Sequence, residues 1–229
     1  MTDLRDIEAF ASKIDIRRWR KLEDQVISGL RDVEVSSRRA PPTARFEKNY
    51  SKYFDLETWL RYHMRHARQM KLHKADRQLR ILDVGCGAGI FLFICKVLGH
   101  SGIGFDCESE MYQEMARILD VEYVPNLVAP LEPLDERFQG FDWISAIAVK
   151  FDRLDFANLE ATSWRLAEWQ FFLVDMAERL NEGGQLYIKP NRAGPEILFK
   201  DPAIAEFLES VASMTTSTGE FIIPRDALI

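Results

Sequence analysis

Three glycines at alternate positions, Gly85, Gly87 and Gly89, interrupt an otherwise apolar stretch at residues 79–91, and Asp83 stands two residues before the first of them. Glycine removes the side chain where a backbone must turn sharply or lie directly against a ligand. A small molecule could therefore rest on this main chain. Ile81, Leu82 and Val84 are the residue types of a strand buried on both faces. From Ile90 to Leu98 the apolar residues continue as a short helix that Gly99 ends. The element is strand, loop, helix. A dinucleotide fingerprint, Gly-x-Gly-x-x-Gly counted from Gly85, would need glycine at position 90, and the chain has Ile90 there.

The remaining reactive side chains are scattered. His63, His66, Asp152 and Asp155 could each take a proton from a hydroxyl or an amine. Tyr53, His63, Lys150, Lys189 and Asn191 could meet a substrate, and no residue stands out as catalytic. Cys86, Cys95 and Cys107 form no C-x-x-C pair, which argues against a disulfide framework or a zinc site. No metal is expected.

The run Asp83-Val84-Gly85-Cys86-Gly87-Ala88-Gly89 resembles motif I of the class I S-adenosylmethionine dependent methyltransferases. That resemblance implies that the backbone of Gly85, Cys86, Gly87 and Gly89 passes under the methionine half of the cofactor and that Asp83 helps to orient its amino acid end. Gly102-Ile103-Gly104-Phe105-Asp106 is similar to the next strand of the family and ends in an acid 17 residues past Gly89. In the family such an acid holds both ribose hydroxyls, since one carboxylate can accept from two donors at once.

Two segments depart from the pattern. The acid that often reads the adenine amino group after the third strand is replaced by Pro125-Asn126-Leu127. Asn126 could accept from that amino group through its side-chain oxygen, or act only as a turn residue after proline. Phe141 to Ile147 resembles the strand of motif IV, and the segment 148–155 after it occupies the place where the family receives its substrate. That segment matches neither the Asn-Pro-Pro-Tyr type nor the His-containing type, so the class of acceptor is not written in a motif.

These elements predict an α/β fold, a doubly wound, mostly parallel sheet of the seven-stranded methyltransferase type with an α-helical N-terminal cap. Residues 1–78 would form the cap and residues 79–229 the methyltransferase domain. In the cap, apolar residues from Ile7 to Val33 predict helix over 3–34 with a break near Asp15, residues 35–44 read as a linker, and a basic amphipathic helix is expected from Asp55 to about His73. Past the loop, helices are expected at 109–119, 159–180 and 201–213, with Gly183-Gly184 ending the second. Strands are expected at 103–105, 121–124, 141–147 and 185–189, a loop at 128–140 and a closing hairpin through Thr218-Gly219-Glu220.

Net charge is −6 but uneven: residues 1–80 carry 19 Lys and Arg against 12 Asp and Glu, and residues 81–229 carry 11 against 24. A basic segment of this kind either solvates a helical face or grips a polyanion. No run of about 18 apolar residues and no leader pattern is present, so a cytoplasmic chain is expected. The expected activity is methyl transfer from S-adenosylmethionine to oxygen or nitrogen of a small molecule or sugar-like intermediate. An RNA or polyanion methyltransferase and a non-catalytic cofactor-binding protein are the alternatives.

Overall fold

A computed structural model describes residues 4–36, 51–155, 160–191 and 201–229. The expected linker beyond Ser36 and Tyr50 lie outside the described residues. Helix α1 (Leu4–Ala11) and helix α2 (Ile16–Ser36) are separated at Asp15, whose carboxylate accepts from the N–H groups of Arg17 and Arg18 at 3.1 Å each and so starts the second helix. A 3₁₀ turn at Lys52–Phe54 leads into α3 (Leu56–Gln69), capped by Asp55 accepting from the Thr58 N–H at 3.1 Å. This helix ends four residues before His73, where Lys71 adopts a left-handed backbone at φ 57° and a further 3₁₀ turn follows.

The glycine loop joins β1 (Arg80–Val84) to α4 (Ile90–Val97) as expected. Then come β2 (Ser101–Asp106), α5 (Glu110–Leu119), β3 (Glu122–Pro125), β4 (Phe141–Ile147), a hairpin of β5 (Asp152–Asp155) and β6 (Glu160–Ser163), α6 (Leu166–Glu178), β7 (Leu180–Lys189), α7 (Pro202–Val211), β8 (Met214–Thr215) and β9 (Phe221–Pro224). The main sheet has seven strands in the order β3-β2-β1-β4-β7-β9-β8. The first five are mutually parallel, and β9 runs antiparallel to both β7 and β8. The order reverses between β1 and β4, which makes the carboxyl ends of those strands the switch point where open α/β sheets bind ligands.

Alternate side chains along each strand enter different layers. Ile81 and Tyr187 face a cluster built with Trp19, Phe54, Leu60, Met64, Phe91, Ile94 and Met115, so the described helices of the N-terminal segment cover the same sheet face as α4 and α5. Leu82, Val84, Ile144 and Ile188 face Phe172, Leu173, Met176 and Leu208 on α6 and α7. The sheet is covered on both sides, as its near-continuous apolar strands require.

Two expectations are corrected. The helix expected over 159–180 exists only from Leu166 to Glu178, and residues 160–163 pair with β5 instead. Trp164 supplied part of the helical spacing, but its N–H donates to the Phe151 carbonyl at 3.0 Å and its ring packs against Phe151 at 4.9 Å, which closes a hairpin base. Gly183-Gly184 does not end the helix either. Both glycines lie inside β7, where Gly183 has φ 71° and the register against β4 shifts between Phe141 and Trp143.

Candidate functional site

All three loop glycines have left-handed backbones, with φ 66° at Gly85, 53° at Gly87 and 78° at Gly89. They differ in what a side chain would meet. A Cβ on Gly85 would lie 2.6 Å from Val149 and one on Gly89 2.7 Å from Val121, whereas one on Gly87 would meet nothing within 4 Å. The outer glycines serve packing, and the middle one faces open space. The loop is tied to β2 through the Cys86 N–H, which donates to the Phe105 carbonyl at 3.0 Å. Cys86 itself is buried against Gly104, where a Cβ would come within 2.7 Å of its sulfur.

Asp106 at the end of β2 turns toward this loop. One carboxylate oxygen accepts from the Gly87 N–H at 2.8 Å and the other from the Cys107 N–H at 2.7 Å. An ionised carboxylate offers about four acceptor positions, so capacity remains for two further donors. The two features singled out in the sequence, middle glycine and acid, are in direct contact. Tyr123, on the neighbouring β3, reaches the residue that follows the acid. The Tyr123 hydroxyl donates to the Cys107 carbonyl at 2.5 Å, and burial, with the negative charge of Asp106 adding to it, holds this phenol above its ordinary range. Cys107 is pushed up to about 11 by burial and by its bond to Asp106, so its thiol stays protonated.

Asp83 is buried beneath the loop at 3% exposure, and Ser145, its register partner on β4, donates to it at 2.6 Å. Burial raises its carboxyl to about 7; the Ser145 bond pulls the other way and Asp106 adds to the rise. Beyond β3, the Asn126 N–H donates to the Asp106 carbonyl at 2.9 Å, while the Asn126 side-chain oxygen accepts from the Leu127 N–H at 2.9 Å. Leu127 is 67% exposed. Both residues open onto a cavity of about 270 Å³ whose far wall is Leu134, Asp175 and Met176.

The other sequence candidates are carried by other elements. Tyr53 is half-buried, its ring edge-on to Tyr112 at 5.8 Å. His63 lies between Trp59 and Phe91, at 5.8 and 6.0 Å, and its Nδ1 is enclosed with no hydrogen-bond partner. Burial lowers it to about 3. His66 is fully buried, with Nδ1 2.6 Å from the Tyr187 hydroxyl, which in turn donates to Gln69 at 2.6 Å. Burial, assisted by Arg65, lowers it to about 4, so both histidines are neutral at physiological pH. Lys189 is buried and donates to the Thr218 carbonyl at 2.9 Å, next to the buried carboxylate of Glu220 that Arg65 pairs with at 3.1 Å. Lys150 and Asn191 are exposed, and the Asn191 N–H donates to the Val149 carbonyl at 3.3 Å, which ties the ends of β4 and β7 together. Asp152 and Asp155 are the end residues of β5. The structure thus brings Asp83, the glycines, Asp106 and Asn126 to one place, and sets His63, His66 and Lys189 along α3 and β7.

Sequence reasoning passed over Ser145 and Tyr123. Ser145 left a signal, a polar residue between apolar neighbours at the centre of a strand. Ala148 left none: it has φ 59°, a backbone that residues with a Cβ seldom adopt, immediately after β4 and beside the Val149 that meets Gly85.

No family model matches the sequence, and no curated protein does. Solved structures similar to the chain include an amino pentose methyltransferase, CalS10, from Micromonospora echinaspora, at 22% identity over 58% of this chain and 50% of that one, with a TM-score of 0.41. Streptomyces venezuelae DesVI matches at 18% over 62% and 57%, with a TM-score of 0.43. A TehB-like SAM-dependent methyltransferase from Corynebacterium glutamicum matches at 15% over 71% and 96%, with a TM-score of 0.42. The chain spans about half the length of the first of these. Among the described residues no helix is long and apolar enough to cross a membrane, and no group of three or more His, Cys, Asp or Glu is placed to hold a metal. By its own strand order and crossovers, the chain has a doubly wound, mostly parallel α/β fold.

Proposed function

We propose that the chain is a class I S-adenosylmethionine dependent methyltransferase that transfers a methyl group to oxygen or nitrogen of a small molecule or sugar-like acceptor. Residues 1–78 serve as its helical extension and residues 79–229 as the methyltransferase domain. The observation that carries the reading is the contact between Asp106 and the Gly87 N–H at the switch point of the sheet, with open space above that glycine. A nucleoside carrying an amino acid fits that pairing. Asp106 would hold the two ribose hydroxyls, the main chain from Gly85 to Gly89 the methionine part, and Asn126 and Leu127 the base. Asp83, below the loop, would answer the cationic amino group.

The cofactor supplies a methyl group already activated on a sulfonium, so the residues around it have only to bind, align and exclude water. The neutrality of His63 and His66 suits that division of work, because groups lowered to about 3 and 4 are weak proton acceptors at pH 7. The acceptor would enter beyond the ends of β4 and β7, past Lys150 and Asn191. Calorimetric titration with S-adenosylmethionine and S-adenosylhomocysteine tests cofactor binding, and transfer of labelled methyl to a panel of amino and hydroxyl acceptors tests catalysis. A chain that binds neither nucleoside is not a methyltransferase.

A further inference from the structure

We propose that Ser145 positions Asp83, and that the cationic amino end of the nucleoside, on binding, expels one proton from this acid while the serine hydroxyl turns from the Leu82 carbonyl to the carboxylate. The inference rests on the cofactor reading above and adds a residue and a proton to it.

The strand register sets the arrangement. Asp83 on β1 stands level with Gly104 on β2 and with Ser145 on β4. Gly104 offers the acid no side chain, and a Cβ there would strike Cys86 at 2.7 Å. Ser145, on the other side, is fully buried, and its Oγ lies 2.6 Å from the Asp83 carboxyl and 3.3 Å from the Leu82 carbonyl. Both of those groups accept, and the hydroxyl has one proton to give. When Asp83 is a neutral acid, its own O–H donates to Ser145 Oγ and the serine proton goes to Leu82, so each proton has an acceptor. When Asp83 is ionised, the serine proton must go to the carboxylate and the contact to Leu82 is given up.

Burial decides which form is present before the nucleoside binds. A carboxylate has about four acceptor positions, and among the described residues Ser145 is the one hydrogen-bond partner of this carboxyl. A buried charge with a single donor is costly, so the acid keeps its proton. The surrounding groups do not relieve that cost. Asp106, at the end of β2, is negative and adds to the rise that burial causes. The thiols of Cys86 in the loop and Cys95 on α4 are themselves raised by burial and stay neutral. From α3, His63 against Phe91 and His66 against Tyr187 face the same side of the sheet without charge. An ammonium group supplies the missing positive charge. The acid O–H then breaks, its electron pair stays on the carboxylate, the proton leaves to the buffer, and the ammonium keeps its own protons.

Titration calorimetry of the full chain with S-adenosylhomocysteine counts this proton when it is run in two buffers of different ionisation enthalpy, phosphate and imidazole. For an acid near 7 the expected release is about nine-tenths of a proton at pH 6 and about half of one at pH 7. Equal binding enthalpies in the two buffers at pH 6 overturn the proposal, and that measurement needs no variant. Asp83→Asn should bind with the same enthalpy in both buffers; a proton still released by it overturns the assignment to Asp83. Ser145→Ala removes the donor that favours the ionised form. Its release at pH 7 should rise to about nine-tenths of a proton and its affinity fall about fivefold, as for a carboxyl that titrates about one pH unit higher. A loss of affinity with the proton count unchanged marks a merely structural serine and overturns its positioning role. A native chain that does not bind S-adenosylhomocysteine removes the cofactor reading and this inference together, whereas one that binds it without releasing a proton removes this inference alone.

Discussion

Replacing Asp83 by asparagine should change how stability depends on pH, and the size follows from where the carboxyl sits. Its side chain is buried beneath the loop and is raised from 3.8 to about 7, first by burial. Between those values the folded chain holds a proton that the unfolded chain has released. Linkage then requires native stability to fall as pH rises through that window, by about 1.4 kcal/mol per unit and about 4 kcal/mol in all. Asparagine resembles the protonated acid in shape and can still accept from Ser145, yet it has no charge to bury. Asp83→Asn should therefore match the native chain near pH 4 and exceed it by a few kcal/mol above pH 7.

His66 acts in the opposite sense. Its lowered value, about 4 against 6.5, means that stability is lost as pH falls across that interval, by about 3 kcal/mol. His63, lowered to about 3, slopes the same way over this interval, so Asp83 offsets only one of the two histidines between pH 4 and 6.5, and substituting it exposes both histidine slopes. Urea denaturation of both chains at half-unit steps from pH 4 to 8.5 measures the difference directly. A native-minus-variant difference that stays constant over this range would falsify the argument, because it would show that the Asp83 carboxyl is not held protonated by burial.

Gly87→Ala meets no atom within 4 Å but occupies the space proposed for the ligand, so its melting temperature should drop by only a few degrees while nucleoside affinity collapses in calorimetry. Gly89→Ala should instead unfold more easily by about 1 to 3 kcal/mol in denaturant titrations, with part of the loss restored by Val121→Ala, the side chain it would strike at 2.7 Å. Asp106→Ala should weaken nucleoside binding by about 1.5 to 3 kcal/mol for each hydroxyl bond lost; unchanged affinity would remove the ribose assignment. Arg179→Ala should destabilise by about 3 to 5 kcal/mol in chemical denaturation. It would leave the buried Asp175 without its 2.7 Å partner and free the Leu134, Asp135 and Phe138 carbonyls that hold the loop before β4.

Where the fold could be read from the sequence, local chemistry and tertiary need agreed. Asp15 and Ser109 are caps whose bonds are made within three residues, and the Gly85 to Gly89 turn is enforced by backbone angle alone. Trp164 shows the opposite case: its spacing suits a helix, but the aromatic cluster of Phe151, Trp169 and Phe172 draws it into a hairpin. Gly183 was similarly ambiguous, since a glycine after an apolar helix reads as its end unless the bulge that requires it is known. Within the site, Asp106 was legible because it sits at a fixed distance from the loop, and Ser145 was not because its partner Asp83 is 62 residues away in sequence. Buried histidines carry no sequence signature that separates them from proton acceptors; only the Tyr187 and Phe91 rings around them do that.

The helices that precede β1 are glued to parts of the chain made much later. His66 waits for Tyr187, 121 residues downstream, and Arg65 for Glu220, 155 residues downstream. Until β7 and β9 exist, α3 can pack only against α1 and α4, so the part of its apolar side that carries His66 is covered only after long loops are closed. During synthesis that side of the oldest segment therefore stays only partly covered until late, a period in which folding helpers, or clumping, would have their opportunity.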